Sequence, residues 1–133
     1  MAEITLLDGA IGQEAVRRSG DAPTPLWSTR TMMDHPGLLA RLHADYARAG
    51  ATVATANTYA LHRDRLAPEG LADRLNALIA TALDEARQGA GKGRVAGATG
   101  PLGASYRPDL TPPPEHAATI YAEIARLMAP RAD

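Results

Sequence analysis

The sequence contains no cysteine, so no disulfide can cross-link the fold and no thiol can act as a nucleophile or a metal ligand. Phenylalanine is also absent, and one tryptophan and four tyrosines are the only large aromatic residues. Aliphatic side chains, above all those of alanine and leucine, therefore have to fill the core. These residues favour helices that pack against a sheet.

The sequence also has no large excess of positive or negative charge, because 14 Lys and Arg residues are offset by 15 Asp and Glu residues. This balance gives no positive field to attract nucleic acid or an anionic membrane, and we expect neither as a partner. Residues 1–9 lack the basic start and long apolar core of a signal peptide, and no apolar run approaches the roughly 18 residues of a membrane span. We expect one compact cytoplasmic domain of 133 residues.

Apolar periodicity and turn residues predict three strands that alternate with three helices. The predicted strands cover residues 4–7, 52–57 and 94–98, and the predicted helices cover residues 34–50, 68–87 and 111–129. Asp34 is the expected N-cap of the first helix. Polar residues 17–25 are expected to form a loop, and the glycine-rich residues 89–93 a flexible bridge. The order predicts an α/β fold with its strands parallel in one sheet.

Polar residues follow each predicted strand at its carboxyl end, where parallel α/β folds bind ligands. Asp8 closes the first strand, Asn57 and Thr58 close the second, and Thr99 closes the third. We therefore expect these side chains to share one rim. Each of these residues could instead have a purely structural role, because Asp8 precedes Gly9 in a common turn pair and polar residues often end strands.

Three other motifs do not support a site. His43 and Asp45 are two residues apart on a helix and point to different faces, so they do not share a metal. His62 and Asp64 are expected to be solvated loop residues without a third ligand. The glycines at 89–93 precede a strand, whereas a phosphate-binding loop links a strand to a helix.

Five segments in order resemble the homocysteine S-methyltransferase family. They are Leu-Leu-Asp-Gly-Ala-Ile-Gly-Gln-Glu at 6–14, Leu-Trp-Ser at 26–28, His35-Pro36 with His43 and Tyr46, residues 49–59, and Gly-Ala-Thr-Gly-Pro at 97–101. The resemblance implies part of a (β/α)8 TIM barrel, about the first three βα units. It also implies transfer of a methyl group to the homocysteine thiol, giving methionine, from a donor such as S-methylmethionine, betaine or a methylated folate, with zinc binding the sulfur.

The resemblance assigns roles to the candidate residues. Asp8 looks like the carboxylate that pairs with the substrate ammonium, and the backbone amides of Gly9 and Ala10 would hold the substrate carboxylate. Trp27 and Tyr59 are suited to face a cationic donor, because aromatic faces attract onium groups. The remaining residues expected to bind substrate follow the second and third strands: Asn57, Thr58 and Thr99.

The chain departs from the family pattern in one important respect. The family's zinc ligands are cysteines, and this chain has none. Ala10 and Gln13 also replace a glycine and a threonine that are usual in the family's first turn. Because a barrel needs about 250 residues, we expect residues 1–133 to be the N-terminal portion of such an enzyme, with no zinc site and no methyl transfer of their own.

Two other functions remain open. The chain could be a non-catalytic binding or assembly module that self-associates through the exposed edge of its sheet. It could also be a different barrel or a flavodoxin-like enzyme that uses Asp8 as a general base.

Overall fold

A computed structural model describes residues 4–133 of the chain. Within this range the fold consists of short parallel strands covered by helices. In chain order the elements are α1 (Ile11–Ser19), α2 (Ser28–Asp34), α3 (Leu38–Arg48), β1 (Val53–Thr55), α4 (Arg63–Leu66), α5 (Leu75–Ala90), β2 (Arg94–Ala96) and α6 (Pro114–Met128). Short 3-10 turns lie at Ala67–Glu69, Ala72–Arg74 and Pro108–Leu110.

The two strands pair in parallel, with Val53 opposite Arg94 and Thr55 opposite Ala96. The first predicted strand, over residues 4–7, is reduced to a single parallel bridge between Leu7 and Val53. This bridge places the N-terminal segment on the other side of β1 from β2. The prediction of an α/β fold with parallel strands is confirmed for these pairings.

The core lies between the sheet and the helices that follow each strand. Ala54 and Val95 are opposite each other in the register and both belong to the buried core. Helices α3 and α5 supply the largest share of this core, with Leu39, Leu42, Ile79 and Leu83 fully buried. The apolar stripes that predicted these helices are therefore the faces that they bury.

Helices α3 and α5 cross closely because Gly89 has no side chain. A Cβ atom at position 89 would overlap the carbonyl oxygen of Ala40 and the Cβ atom of His43. One turn earlier on α5, the buried Glu85 carboxylate accepts hydrogen bonds from the backbone N–H groups of Gly37 (3.0 Å) and Ala40 (3.1 Å). Helix α5 therefore caps the start of α3, whose first amides have no partner within their own helix.

The prediction of a loop over residues 17–25 is wrong for its first three residues. Helix α1 continues to Ser19, and Gly20 ends it with a left-handed backbone (φ 75°). Glu14 binds both Arg17 and Arg18, and Ile11 and Ala15 face the core. These contacts stabilise a helix whose sequence carries little apolar signal.

Other boundaries shift for local reasons. Asp34 ends α2 instead of capping the next helix, and α3 begins at Leu38 after Gly37, whose φ is 81°. The helix expected over residues 68–87 is interrupted by two 3-10 turns and is continuous only from Leu75. The prediction of a flexible bridge over residues 89–93 is wrong for its first two residues, because α5 extends to Ala90.

The outer edge of β2 is paired at Val95. The Val95 carbonyl accepts a hydrogen bond from the Asp133 backbone N–H (2.9 Å), and the Val95 N–H donates to the Asp133 carboxylate (2.8 Å). Arg87 also contacts this carboxylate at 2.6 Å. These donors hold the pKa of Asp133 below its ordinary value.

Among the helices in residues 4–133, none is long and apolar enough to cross a bilayer.

Candidate functional site

A cavity of about 580 Å3 opens at the carboxyl ends of the strands. The segment after Leu7, the end of β1 and the loop after β2 all contribute to it, as expected for a parallel α/β fold. Six of the eight residues that the sequence singled out line this cavity, namely Asp8, Gly9, Ala10, Trp27, Asn57 and Tyr59. Its other lining residues include Ile11, Gly12, Gln13, Ser28, Thr55, Ala98, Ser105 and Tyr106.

The Asp8 carboxyl group is buried in the wall of the cavity, with 1% of its side chain exposed. Its Oδ2 atom accepts a hydrogen bond from the Thr55 backbone N–H at 2.8 Å and lies 3.3 Å from Nδ1 of His43. Its Oδ1 atom has no hydrogen-bond partner among residues 4–133. A buried carboxylate oxygen without a partner is costly, so this atom is the natural contact for a ligand cation.

Helix α1 begins at the same cavity. Its N-cap is Ala10, which offers no side-chain acceptor for the first amides of the helix. Ala10, Ile11, Gly12 and Gln13 all line the cavity. An uncapped helix N-terminus carries free N–H groups and a partial positive charge, and both favour an anion. The cavity thus offers a place for a carboxylate near the buried acid.

Asn57 is buried and holds the loop before α2. Its Oδ1 atom accepts a hydrogen bond from the Ser28 hydroxyl at 2.8 Å, and its Nδ2 atom donates to the Ser28 carbonyl at 3.1 Å. Both ends of the amide are therefore used inside the protein. Asn57 shapes the cavity wall, and its polar atoms are already occupied.

Trp27 is the residue immediately before α2. Its backbone φ is 46°, a conformation that is costly for a residue with a Cβ atom, and its side chain is partly exposed. A Cβ atom at Gly12 would lie 2.9 Å from the indole ring. The glycine thus lets the indole pack flat against the first turn of α1, where it forms one side of the cavity.

Tyr59 forms another side of the cavity and is tied to the loop after β2. Its hydroxyl lies 3.2 Å from the Ser105 hydroxyl, and its carbonyl accepts a hydrogen bond from the Gly100 N–H at 3.0 Å. The Arg65 guanidinium lies 5.9 Å from the centre of the Tyr59 ring. The ring therefore already interacts with one cation of the chain.

The structure places Thr58 and Thr99 outside the lining of the cavity. Thr58 is buried, and its hydroxyl both donates to the Ala98 carbonyl and accepts from the Ala98 N–H, each at 2.8 Å. It therefore joins the end of β1 to the loop after β2. Thr99 lies in that loop and is exposed.

His62 was expected to be a solvated loop residue, and this is wrong. It is fully buried at the start of α4, where its Nε2 atom donates to the Tyr59 carbonyl at 2.9 Å. Burial lowers the pKa of His62 below its ordinary value of 6.5. This histidine supports the Tyr59 segment from behind and does not reach the cavity.

Spacing along the chain does not connect His43 with Asp8, or Ser28 with Asn57. The residues of each pair are 35 and 29 positions apart and meet only through tertiary packing. Ser105 and Tyr106 were missed as lining residues because they lie in an irregular loop between β2 and α6. His43 belongs to the family pattern, which was the one signal that could have drawn attention to it.

A zinc ion bound by this chain does not fit the residues present. The chain has no cysteine. Among residues 4–133 no group of three His, Asp or Glu side chains is placed to hold a metal ion. Asp8 and His43 form a pair without a third ligand, which is too few for a protein zinc site.

Comparison with known proteins identifies relatives along nearly the whole chain. The family model for homocysteine S-methyltransferase matches residues 5–133. The homocysteine S-methyltransferase of Escherichia coli (strain K12) is 34% identical over 113 residues, which cover 77% of this chain and 36% of that protein. The homocysteine S-methyltransferase YbgG of Bacillus subtilis (strain 168) is 30% identical over 115 residues, covering 76% and 36%.

Solved structures give the same result for the fold. The metallated form of the homocysteine methyltransferase MmuM from Escherichia coli superposes with a TM-score of 0.85 at 29% identity. The match covers 99% of this chain and 52% of that structure. The oxidized form of the same enzyme gives a TM-score of 0.81. The chain therefore spans about a third of the sequence relatives it matches and about half of the matched structure.

Proposed function

Because the chain belongs to the homocysteine S-methyltransferase family, we propose that it forms the amino-acid-binding part of a homocysteine S-methyltransferase site. The observation that carries the proposal is the cavity in which an unpartnered Asp8 oxygen lies near the uncapped start of α1. The reaction that this site serves is methyl transfer to the thiol of homocysteine, which gives methionine.

The two ends of the site match the two charges of an α-amino acid. A substrate ammonium would complete the hydrogen bonding of Asp8 Oδ1, which has no partner among the described residues. The substrate carboxylate would accept hydrogen bonds from the backbone amides at Gly9, Ala10 and the first turn of α1. The side chain of the amino acid then extends into the remaining cavity.

The aromatic wall suits the methyl donor. Trp27 and Tyr59 are each partly exposed and line the same cavity. Aromatic faces attract onium methyl groups by about 0.5 to 2 kcal/mol, which favours a cationic donor such as S-methylmethionine or betaine.

The parallel pairing of Leu7, β1 and β2 supports a finer description of the fold. We propose that these segments and the helices after them are the first three βα units of a (β/α)8 barrel, and that residues 1–133 form its N-terminal portion. The ligand site then lies at the carboxyl ends of the strands, as in other barrels.

Activation of the thiol has to come from outside this chain. A thiol attacks a methyl group as the thiolate, and the family's zinc favours that form. Because the ligand residues for zinc do not fit within this chain, its own residues bind and orient the amino acid only. The amino-acid-binding part of the site would therefore determine the position of the substrate relative to the methyl donor.

Calorimetric titration of the chain with L-homocysteine in a reducing buffer tests the proposal, with L-methionine as a second ligand. We expect both to bind, and Asp8→Asn to weaken binding at least tenfold, because a hydrogen bond to a charged group contributes about 1.5 to 3 kcal/mol. Asp21→Asn is the matched control, since Asp21 is exposed and lines a separate cleft.

Absence of binding to the wild-type chain, or equal losses in the Asp8 and Asp21 variants, would contradict the proposal. Thermal unfolding of both variants shows whether the fold is retained. A loss of affinity without a loss of fold is the expected result for Asp8→Asn.

One observation favours a second candidate function, that of an assembly module. Ile4, Leu6 and Leu7, in the N-terminal segment, are 88%, 51% and 59% exposed. An apolar edge of this kind promotes pairing with a second copy. Light scattering over a concentration series tests this function: a tight dimer that Leu7→Asp dissociates would support it, and a monomer at all concentrations would contradict it.

A further inference from the structure

His43 contacts Asp8, the central residue of the site, but does not itself line the cavity. Its side chain is fully buried on α3, and its Nδ1 atom lies 3.3 Å from Oδ2 of Asp8. Its other ring nitrogen, Nε2, has no hydrogen-bond partner among residues 4–133. Within the described chain, the hydrogen bonding of this imidazole is therefore directed to Asp8 alone.

The two donors to Asp8 act on the same oxygen. Thr55 N–H holds Oδ2 at 2.8 Å from the strand side, and His43 approaches the same atom from the helix side. With both donors on Oδ2, Oδ1 is the atom left without a partner among the described residues. Loss of the His43 donor would leave Oδ2 held by the Thr55 N–H alone.

The position of His43 is itself fixed by packing. Its Cβ atom lies against Gly89 of α5, where even one additional carbon atom would overlap it. The buried stem of the imidazole is thus held between α3 and α5. A side chain with so little freedom can orient its hydrogen-bond partner at a small cost in entropy.

From these contacts we propose that His43 is a positioning residue for the substrate-binding carboxylate. Its Nδ1–H group holds Asp8 in the rotamer that presents Oδ1 to the ammonium of the amino acid. The proposal rests on the proposed function, because it requires that Asp8 binds this ammonium. His43 itself touches neither the substrate nor the reacting atoms.

The test compares two ligands that differ only in the ammonium group. L-methionine and 4-(methylthio)butanoic acid are titrated into the wild-type chain, His43→Leu and His43→Asn. We expect His43→Leu to lose about tenfold more affinity for L-methionine than for the desamino acid, since it removes one hydrogen bond to a charged group. We expect His43→Asn to keep most of the affinity, because its amide nitrogen takes the place of Nδ1.

Three outcomes separate this proposal from its alternatives. Equal losses for both ligands in His43→Leu would show a merely structural role and overturn the proposal. A further comparison is with His43→Gln, whose amide nitrogen corresponds to Nε2 and not to Nδ1. If His43→Asn binds L-methionine as weakly as a folded His43→Gln variant, the proposal is also overturned. If the wild-type chain binds neither ligand, the proposed function fails first, and this result is distinct because it precedes any variant.

Discussion

Among single residues, Asp8 shows how an unsatisfied group can indicate a ligand. Its carboxylate is buried, and Oδ2 contacts both the Thr55 N–H and the His43 Nδ1 atom. Oδ1 has no hydrogen-bond partner within residues 4–133. Protein interiors rarely leave a charged oxygen unpaired, because the loss of hydration is not offset. The same reasoning gives Asn57 and Thr58 a different role, since their polar side-chain atoms are bonded to Ser28 and Ala98.

His62 makes stability depend on pH. Because burial lowers its pKa below the ordinary 6.5, the unfolded chain takes up the proton first as the pH falls. The contribution of the neutral imidazole is therefore complete above pH 6.5 and decreases below it. We expect His62→Gln, which keeps a donor for the Tyr59 carbonyl, to reduce the fall in unfolding free energy between pH 8 and pH 5.

Denaturant unfolding at both pH values measures this effect. The control is His116→Gln, the same change at an exposed position on α6. An unchanged pH dependence in His62→Gln, or an equal change in the control, would contradict the assignment.

Among the helices, Gly89 shows that packing can override intrinsic propensity. In an isolated helix, alanine is more favourable than glycine by about 1 kcal/mol. Here a Cβ atom would overlap backbone atoms of α3, which have little freedom to move. We expect Gly89→Ala to destabilise the chain by about 1 to 3 kcal/mol, as for other overpacked sites, in urea unfolding.

The neighbouring exposed position supplies the control for this prediction. Gln88→Ala makes a smaller gain in propensity without a steric conflict, and we expect its effect to stay within about 0.5 kcal/mol. A Gly89→Ala variant as stable as Gln88→Ala would mean that α3 and α5 do not cross as closely as described.

Glu85 contributes a second contact between these helices. Its carboxylate accepts from the amides of Gly37 and Ala40, whereas a glutamine offers one acceptor and turns a donor toward the other amide. We expect Glu85→Gln to cost about 1 to 2 kcal/mol of unfolding free energy. Glu69→Gln, at an exposed position, is expected to change it by less than about 0.5 kcal/mol; equal effects would contradict the capping role.

The helices also show which elements a sequence can predict. Helices α3, α5 and α6 were predicted because each buries a long apolar stripe that recurs with helical spacing. Helix α1 was missed because its stability comes from ion pairs at Glu14 and from packing at Ile11 and Ala15. The start of α3 was misplaced because its cap, Glu85, is 48 residues from Gly37 in the sequence.

In the molecule as a whole, the placement of polar residues at strand ends predicted where the cavity lies, but only part of its lining. Six candidate residues line one cavity, because the carboxyl ends of parallel strands meet at the same edge. Thr99 does not, since the chain leaves β2 as an irregular loop whose side chains no longer follow the strand alternation. The role of His43 could not be predicted from spacing, because it depends on how α3 packs against the strand ends.

The absence of cysteine leads to a prediction about metal binding. We expect the purified chain, dialysed against zinc and measured by elemental analysis, to hold far less than one equivalent of tightly bound zinc. We also expect no methionine to form when the chain is mixed with homocysteine and S-methylmethionine. Stoichiometric zinc or methionine formation would show that the chain contains a complete site, contrary to this account.

The position of a bound amino acid is the most direct test of the site. A crystal structure of the chain with L-methionine is predicted to show the ammonium within hydrogen-bond distance of Asp8 Oδ1 and the carboxylate at the first amides of α1. Methionine bound elsewhere, or bound in the cavity with its ammonium away from Asp8, would contradict the assignment of this cavity as the amino-acid site.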